Sequence, residues 1–208
     1  VACAFAAQAA PVNVPVGASL TTMNPPGSGQ VTTVTLTGGT SNWTLSNGGW
    51  TAGQDYGAVE GLVGALNVFN AKVTGSDEYL PLEQTAQFFE DTIYTSIRVQ
   101  APVGSATLDS VTGQILSVSN APGAVQFSGT RINSVLTGGS ATISNLQFDL
   151  VNKTVVADLL GVKSAVGTNP SVTYNLPGTT LWTFANVATA TEAINSTTFA
   201  TTLTFSDL

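Results

Sequence analysis

Residues 141–161 read ATISNLQFDLVNKTVVADLLG, and the alternation in this stretch decides the fold class. Leu146, Phe148 and Leu150 alternate with polar residues, and beyond the turn Val151-Asn152-Lys153 the set Val155, Ala157 and Leu159 alternates again. Successive strand side chains point to opposite faces, so a β-hairpin lets both sets face one core. Ile143 and Leu146 are three positions apart, which strict alternation cannot place on one face. A bulge at Ser144-Asn145, inserting one extra residue, reconciles them.

The same chemistry recurs upstream. Asp109-Ser-Val111-Thr-Gly-Gln114-Ile115-Leu116 aligns without gaps with Asp149-Leu-Val151-Asn-Lys-Thr154-Val155-Val156, an offset of 40 residues. Each copy has an Asp just before the turn, where its carboxylate can accept local backbone N–H bonds. Residues 105–118 therefore read as a second hairpin around Val111-Thr-Gly113. Two copies make a repeated hairpin, not a solenoid.

Further strands are expected at residues 30–37, closed by Gly38-Gly39, at 43–45, and at 65–73. Others fall at 92–100, ended by Pro102, at 126–136, 172–175, 180–185 and 197–205. A short helix is expected over residues 81–91, where Leu82, Ala86 and Phe89 recur at helical spacing after Pro81 at a first-turn position. Strands separated about every ten residues by Gly, Pro or Asn predict an all-β chain, an antiparallel β-sandwich or barrel-like domain with one short helix.

Composition sets the outer bounds. The 208 residues are 43% hydrophobic and only 8% charged, enough apolar material for a substantial core. Five Lys and Arg against 12 Asp and Glu give a net charge of −7, which opposes binding to nucleic acid or an anionic surface. One cysteine leaves no intramolecular disulfide framework, and zero histidines remove the commonest metal ligand and general base. No apolar window reaches the length of a membrane-spanning helix.

The first ten residues, VACAFAAQAA, look like the tail of a secretory signal, with the small-x-small pattern Ala7-Gln8-Ala9 before Ala10-Pro11. Export is the expectation. Cys3 reads either as a small apolar core residue or as a lipidated cysteine. Val12, Val14 and Val16 then alternate between Pro11 and Pro15, an extended arm with apolar side chains on one side. Such an arm can lie on its own domain or add itself to the sheet edge of a neighbouring copy. Residues 1–20 are thus read as apolar leader and arm, and residues 21–208 as one β-rich domain.

Catalytic chemistry is sparse. Asp77-Glu78 and Glu90-Asp91 are sequence neighbours, whereas glycoside hydrolysis needs two carboxylates across a cleft. There is no calcium loop, nucleophile elbow, phosphate loop or metal-spaced Cys/His set. Trp43, Trp50 and Trp182 are candidates for stacking on a ligand, with core packing as the alternative role. Asn42, Asn152 and Asn195 stand in N-glycosylation tripeptides.

The run Gly138-Gly-Ser-Ala-Thr-Ile-Ser-Asn-Leu-Gln-Phe-Asp149, followed by Thr154-Val-Val-Ala-Asp-Leu159, resembles secreted β-rich surface proteins of Gram-negative bacteria, including HtaA-like modules and proteins carrying PEP-CTERM-type sorting signals. The resemblance spans the second half of the chain. It implies an exported surface protein and, through the HtaA-like modules, haem binding, although no ligand Tyr maps onto the run and a supporting His is absent.

Together these readings predict an exported, non-enzymatic structural protein at the cell surface, needing no cofactor. It would be a self-assembling subunit of an extracellular filament or layer whose arm, Val12, Val14 and Val16, pairs with another copy. The alternative is a monomeric secreted module that binds glycan or haem. An outer-membrane β-barrel also fits the alternating strands, but the aromatic girdles are sparse.

Overall fold

The computed structural model describes residues 10–23, 31–46, 61–88, 91–130, 137–184, 186–195 and 198–206; in the last two stretches the backbone alone is described. The elements in order are β1 (Pro11–Pro15), β2 (Ser19–Met23), β3 (Val31–Ser46), α1 (Gly61–Val68), β4 (Lys72–Asp77), β5 (Leu80–Phe88) and β6 (Asp91–Asp109). They continue as β7 (Ile115–Asn120), β8 (Gly123–Gly129), β9 (Gly139–Asp149), β10 (Thr154–Lys163), β11 (Val172–Thr183), β12 (Asn186–Asn195) and β13 (Thr198–Ser206). The main sheet runs β11-β10-β9-β7-β6-β3-β13-β12, with β1, β2, β4, β5 and β8 attached along it. The expected all-β, barrel-like class is what forms. Pairing is antiparallel except where β13 joins β3 in parallel, bringing sequence-distant elements together.

The 141–161 hairpin forms as β9 and β10. Val156 pairs with Gln147 and Asp158 with Ser144, so β9 spends three residues where β10 spends two. The extra residue is the bulge: Asn145 takes φ 52°, a left-handed conformation that Asn tolerates better than most residues. Ile143 and Leu146 consequently both reach the core, joining Phe148, Val155 and Ala157. At the two hairpin turns the carboxylates act as expected. Asp109 Oδ1 accepts from the amides of Val111 and Thr112, both at 2.8 Å. Asp149 Oδ1 accepts from Val151 at 2.9 Å and Asn152 at 2.8 Å. Both acids are held below the ordinary carboxylate range, chiefly by the Thr112 amide for Asp109 and the Asn152 amide for Asp149.

The sheet curls. Trp43 on β3 and Trp182 on β11 lie five strand spacings apart along the sheet, about 24 Å if it were flat. Their ring centroids are 5.3 Å apart, so the sheet wraps around its core as a half-barrel. Polar hydroxyls cover part of the outside: Ser19 pairs with Thr35 at 2.7 Å and Thr21 with Thr33 at 3.0 Å across β2 and β3.

β6 is the spine, and it corrects two expectations. Pro102 does not end the strand, which continues to Asp109. Its missing N–H is harmless because pairing with β3 stops at Thr40↔Pro102 and pairing with β7 begins at Val103↔Asn120. Asn120 Nδ2 closes this junction, donating to Ser41 Oγ at 2.6 Å and to the Pro102 carbonyl at 2.9 Å. Residues 80–88 are strand β5, not the expected helix over 81–91, because register with β6 from Leu80↔Gln100 to Phe88↔Asp91 outweighs three helically spaced apolar residues. Pro81 suits such a peripheral strand.

The helix lies instead at Gly61–Val68, where a strand was expected over 65–73. Val63 and Leu66, three apart, are buried. Asn70 stops the helix at φ 45°, with the Ala71 amide reaching back to the Leu66 carbonyl at 2.9 Å and the Asn70 amide to the Asn67 carbonyl at 3.1 Å. Asn67 then docks the helix on β6: its amide nitrogen donates to the Tyr94 carbonyl at 2.9 Å and its oxygen accepts the Tyr94 amide at 2.7 Å.

Other boundaries shift for similar reasons. Gly38-Gly39 does not close a strand, and residues 30–37 and 43–45 merge into β3. Residues 172–175 and 180–185 merge into β11, which passes Pro177-Gly178 as an irregularity with Gly178 at φ 57° and its amide held by Asp158 Oδ1 at 2.7 Å. Strand 126–136 is seen as β8, Gly123–Gly129; residues 131–136 lie outside the described ones.

Candidate functional site

A cleft of about 550 Å³ opens inside the curl at the α1 end. One wall is helical: Leu66, Phe69 and Ala71 follow from the placement of α1 on β6. The floor comes from Phe127 and Ile143, which face inward on paired strands β8 and β9. Leu159, Leu181 and Trp182 form the far wall. The rim is the approach to β9, Thr137-Gly138-Gly139-Ser140-Ala141.

Gly139 makes that rim possible. A Cβ at this position would collide with the Val162 carbonyl oxygen, and its φ is 150°. A residue without a side chain lets β9 start flush against β10 and leaves the cleft mouth lined by small residues. The lining is apolar apart from the hydroxyls of Thr137 and Ser140, and no titratable side chain lines it among the described residues. A site of this size and character suits a small apolar molecule.

The sequence candidates divide. Trp182 lies in the cleft wall, half-buried, and its ring leans on Trp43 with a 38° interplanar angle. Trp43 is fully buried and serves the core; its Nε1 has no hydrogen-bond partner. Trp50 and Cys3 lie outside the described residues. Val12, Val14 and Val16 are away from the cleft. Here β1 pairs with β6 of the same chain, Val12 opposite Leu108 and Val14 opposite Ala106, with Val14 only 3% exposed and Val16 43% exposed beyond the strand. Asn42 is buried at 8% exposure, which keeps its amide from a modifying enzyme, whereas Asn152 is exposed in the β9–β10 turn. Asp77 and Glu78 are exposed at the β4–β5 turn, and no cluster of metal-ligating side chains occurs among the described residues.

The cleft suits neither ligand suggested by the sequence. A glycan would find two hydroxyls and no carboxylate, amide or guanidinium side chain for its many polar groups. Haem iron would find no His, Tyr, Cys, Met or Lys in the described lining, so the residues do not fit that group.

Sequence reasoning missed the cleft because its walls come from five separate elements, each contributing ordinary core residues. The one local signal was Gly138-Gly139, read only as a strand boundary. Among the described residues no helix is long and apolar enough to cross a membrane. No protein-family model, curated protein or solved structure matches the chain.

Proposed function

We propose that the chain is an exported, non-enzymatic surface module that holds a small apolar ligand in the cleft between α1 and strands β8 to β11. The observation carrying this reading is the cleft itself, about 550 Å³, bounded by Phe69, Phe127, Ile143, Leu159 and Trp182 with no charged side chain in its described lining. Burying apolar ligand surface there gains about 25 cal/mol per Å², without unpaired ligand charge to offset it. The neutral fluorophore N-phenyl-1-naphthylamine tests it. Saturable binding at one probe per chain, lost in a folded Ala141→Trp variant, is expected. Non-saturable uptake, or equal binding by that variant, overturns the reading.

A second reading, self-association into a filament or surface layer, is favoured by the arm. β1 is a five-residue strand pairing with β6 in unbroken register, and a neighbouring copy could supply the same strand. Deleting residues 1–16 abolishes polymers seen by electron microscopy if the arm acts this way. Unchanged polymers exclude the arm, and a strictly monomeric full chain excludes self-association.

A further inference from the structure

We infer that the cleft takes a single-chain amphiphile with an anionic head, its apolar chain inside and its head at Lys163. This deepens the ligand-binding reading and rests on it. β10 itself carries no inserted residue, since the irregularities in its pairing fall on β9 and β11. Alternation therefore places Ala157, Leu159, Gly161 and Lys163 on one face, the face that carries the cleft.

The route out of the cleft along that face is apolar. Leu159 belongs to the wall and pairs with Leu176, which is 50% exposed. Gly161 pairs with Tyr174, whose Cβ lies 3.7 Å from where a Gly161 Cβ would stand, so the exposed ring covers the space that a side chain would fill. Next comes Lys163, opposite Gly139 of the cleft rim. From Leu159 to Lys163 is about 13 Å along the strand, a length an extended acyl chain can span.

Charge supports an anion at the end of this route. In a chain of net charge −7 with five cations, one sits at the cleft mouth, and among the described residues it makes no ion pair. The hairpin's acids are directed elsewhere. Asp158 lies on the opposite face by alternation, accepting from Asn145 Nδ2 and the Gly178 amide, both at 2.7 Å. Asp149 is committed to its own turn. Lys163 is exposed, so its pull on a head group is modest, about two- to fivefold in affinity at low salt.

The test compares cis-parinaric acid with its uncharged methyl ester at neutral pH and low salt, using the wild-type chain, Lys163→Gln and Ala141→Trp. The expected result is saturable binding of both probes, with the acid favoured about two- to fivefold in the wild type. That preference disappears in Lys163→Gln, and both probes are lost in a folded Ala141→Trp chain. Equal affinities in the wild type, or a preference unchanged in Lys163→Gln, overturn the role of Lys163 and leave the ligand cleft standing. Failure of either probe to saturate overturns both.

Discussion

Leu146→Ala tests the bulge on which the central hairpin depends. Leu146 is 1% exposed, although unbroken alternation from Ile143 would point it away from the core. It is buried because Asn145 absorbs one residue of β9 in a left-handed conformation. Truncation to Ala removes roughly three carbon groups at about 0.8 kcal/mol each and leaves a cavity, for a total loss of about 2–5 kcal/mol. Leu160, 42% exposed on the same hairpin, is the control, and Leu160→Ala should cost less than about 1 kcal/mol. Urea unfolding at unchanged m-value reads both numbers. If Leu146→Ala costs no more than Leu160→Ala, the bulge is absent and the inward set on β9 is misassigned.

Three further outcomes follow from individual contacts. The carboxyls of Asp109, Asp149 and Asp158 are lowered from 3.8, led respectively by the Thr112 amide, the Asn152 amide and the Asn145 side chain. Groups depressed in the folded state stabilise it above their unfolded pKa, so the urea midpoint should fall as pH drops from about 4 through the folded values. A triple Asp→Asn variant should flatten that slope, and an unchanged slope would refute the turn assignments. Asn67→Ala orphans the Tyr94 amide and carbonyl and should cost about 1–3 kcal/mol in the same assay, whereas a neutral effect would mean the helix is docked otherwise. Gly139→Ala sets a methyl against the Val162 carbonyl and should destabilise by about 1–3 kcal/mol; a tolerated alanine would show that the rim does not approach β10 so closely.

The parts of this fold that were legible in the sequence are those encoded locally. Period-two alternation identified β9 and β10, the three-residue gap from Ile143 to Leu146 identified the bulge, and Asp109 and Asp149 marked their turns through amides two and three residues on. Punctuation by Pro and Gly misled where a long strand changes partners. Pro102 and Pro177-Gly178 look like strand ends, yet each sits where the ladder does not require the missing N–H or where a bulge absorbs the turn. The helix was misplaced because Leu82, Ala86 and Phe89 supply helical spacing without a helix's neighbours, whereas α1 is fixed by Asn67 reaching a strand 27 residues away. Nothing local encodes the parallel pairing of β13 with β3. The cleft was invisible for the same reason, since curling brings Leu66, Ile143 and Trp182 to one space.

Hydrogen exchange under monomeric conditions, with and without saturating cis-parinaric acid, tests the proposed ligand site most directly. The account predicts slowed exchange at the cleft, in residues 137–143 and 181–182 and at the end of α1, with the arm unchanged. Protection confined to residues 11–15 and 105–109, or none at the cleft, would contradict it.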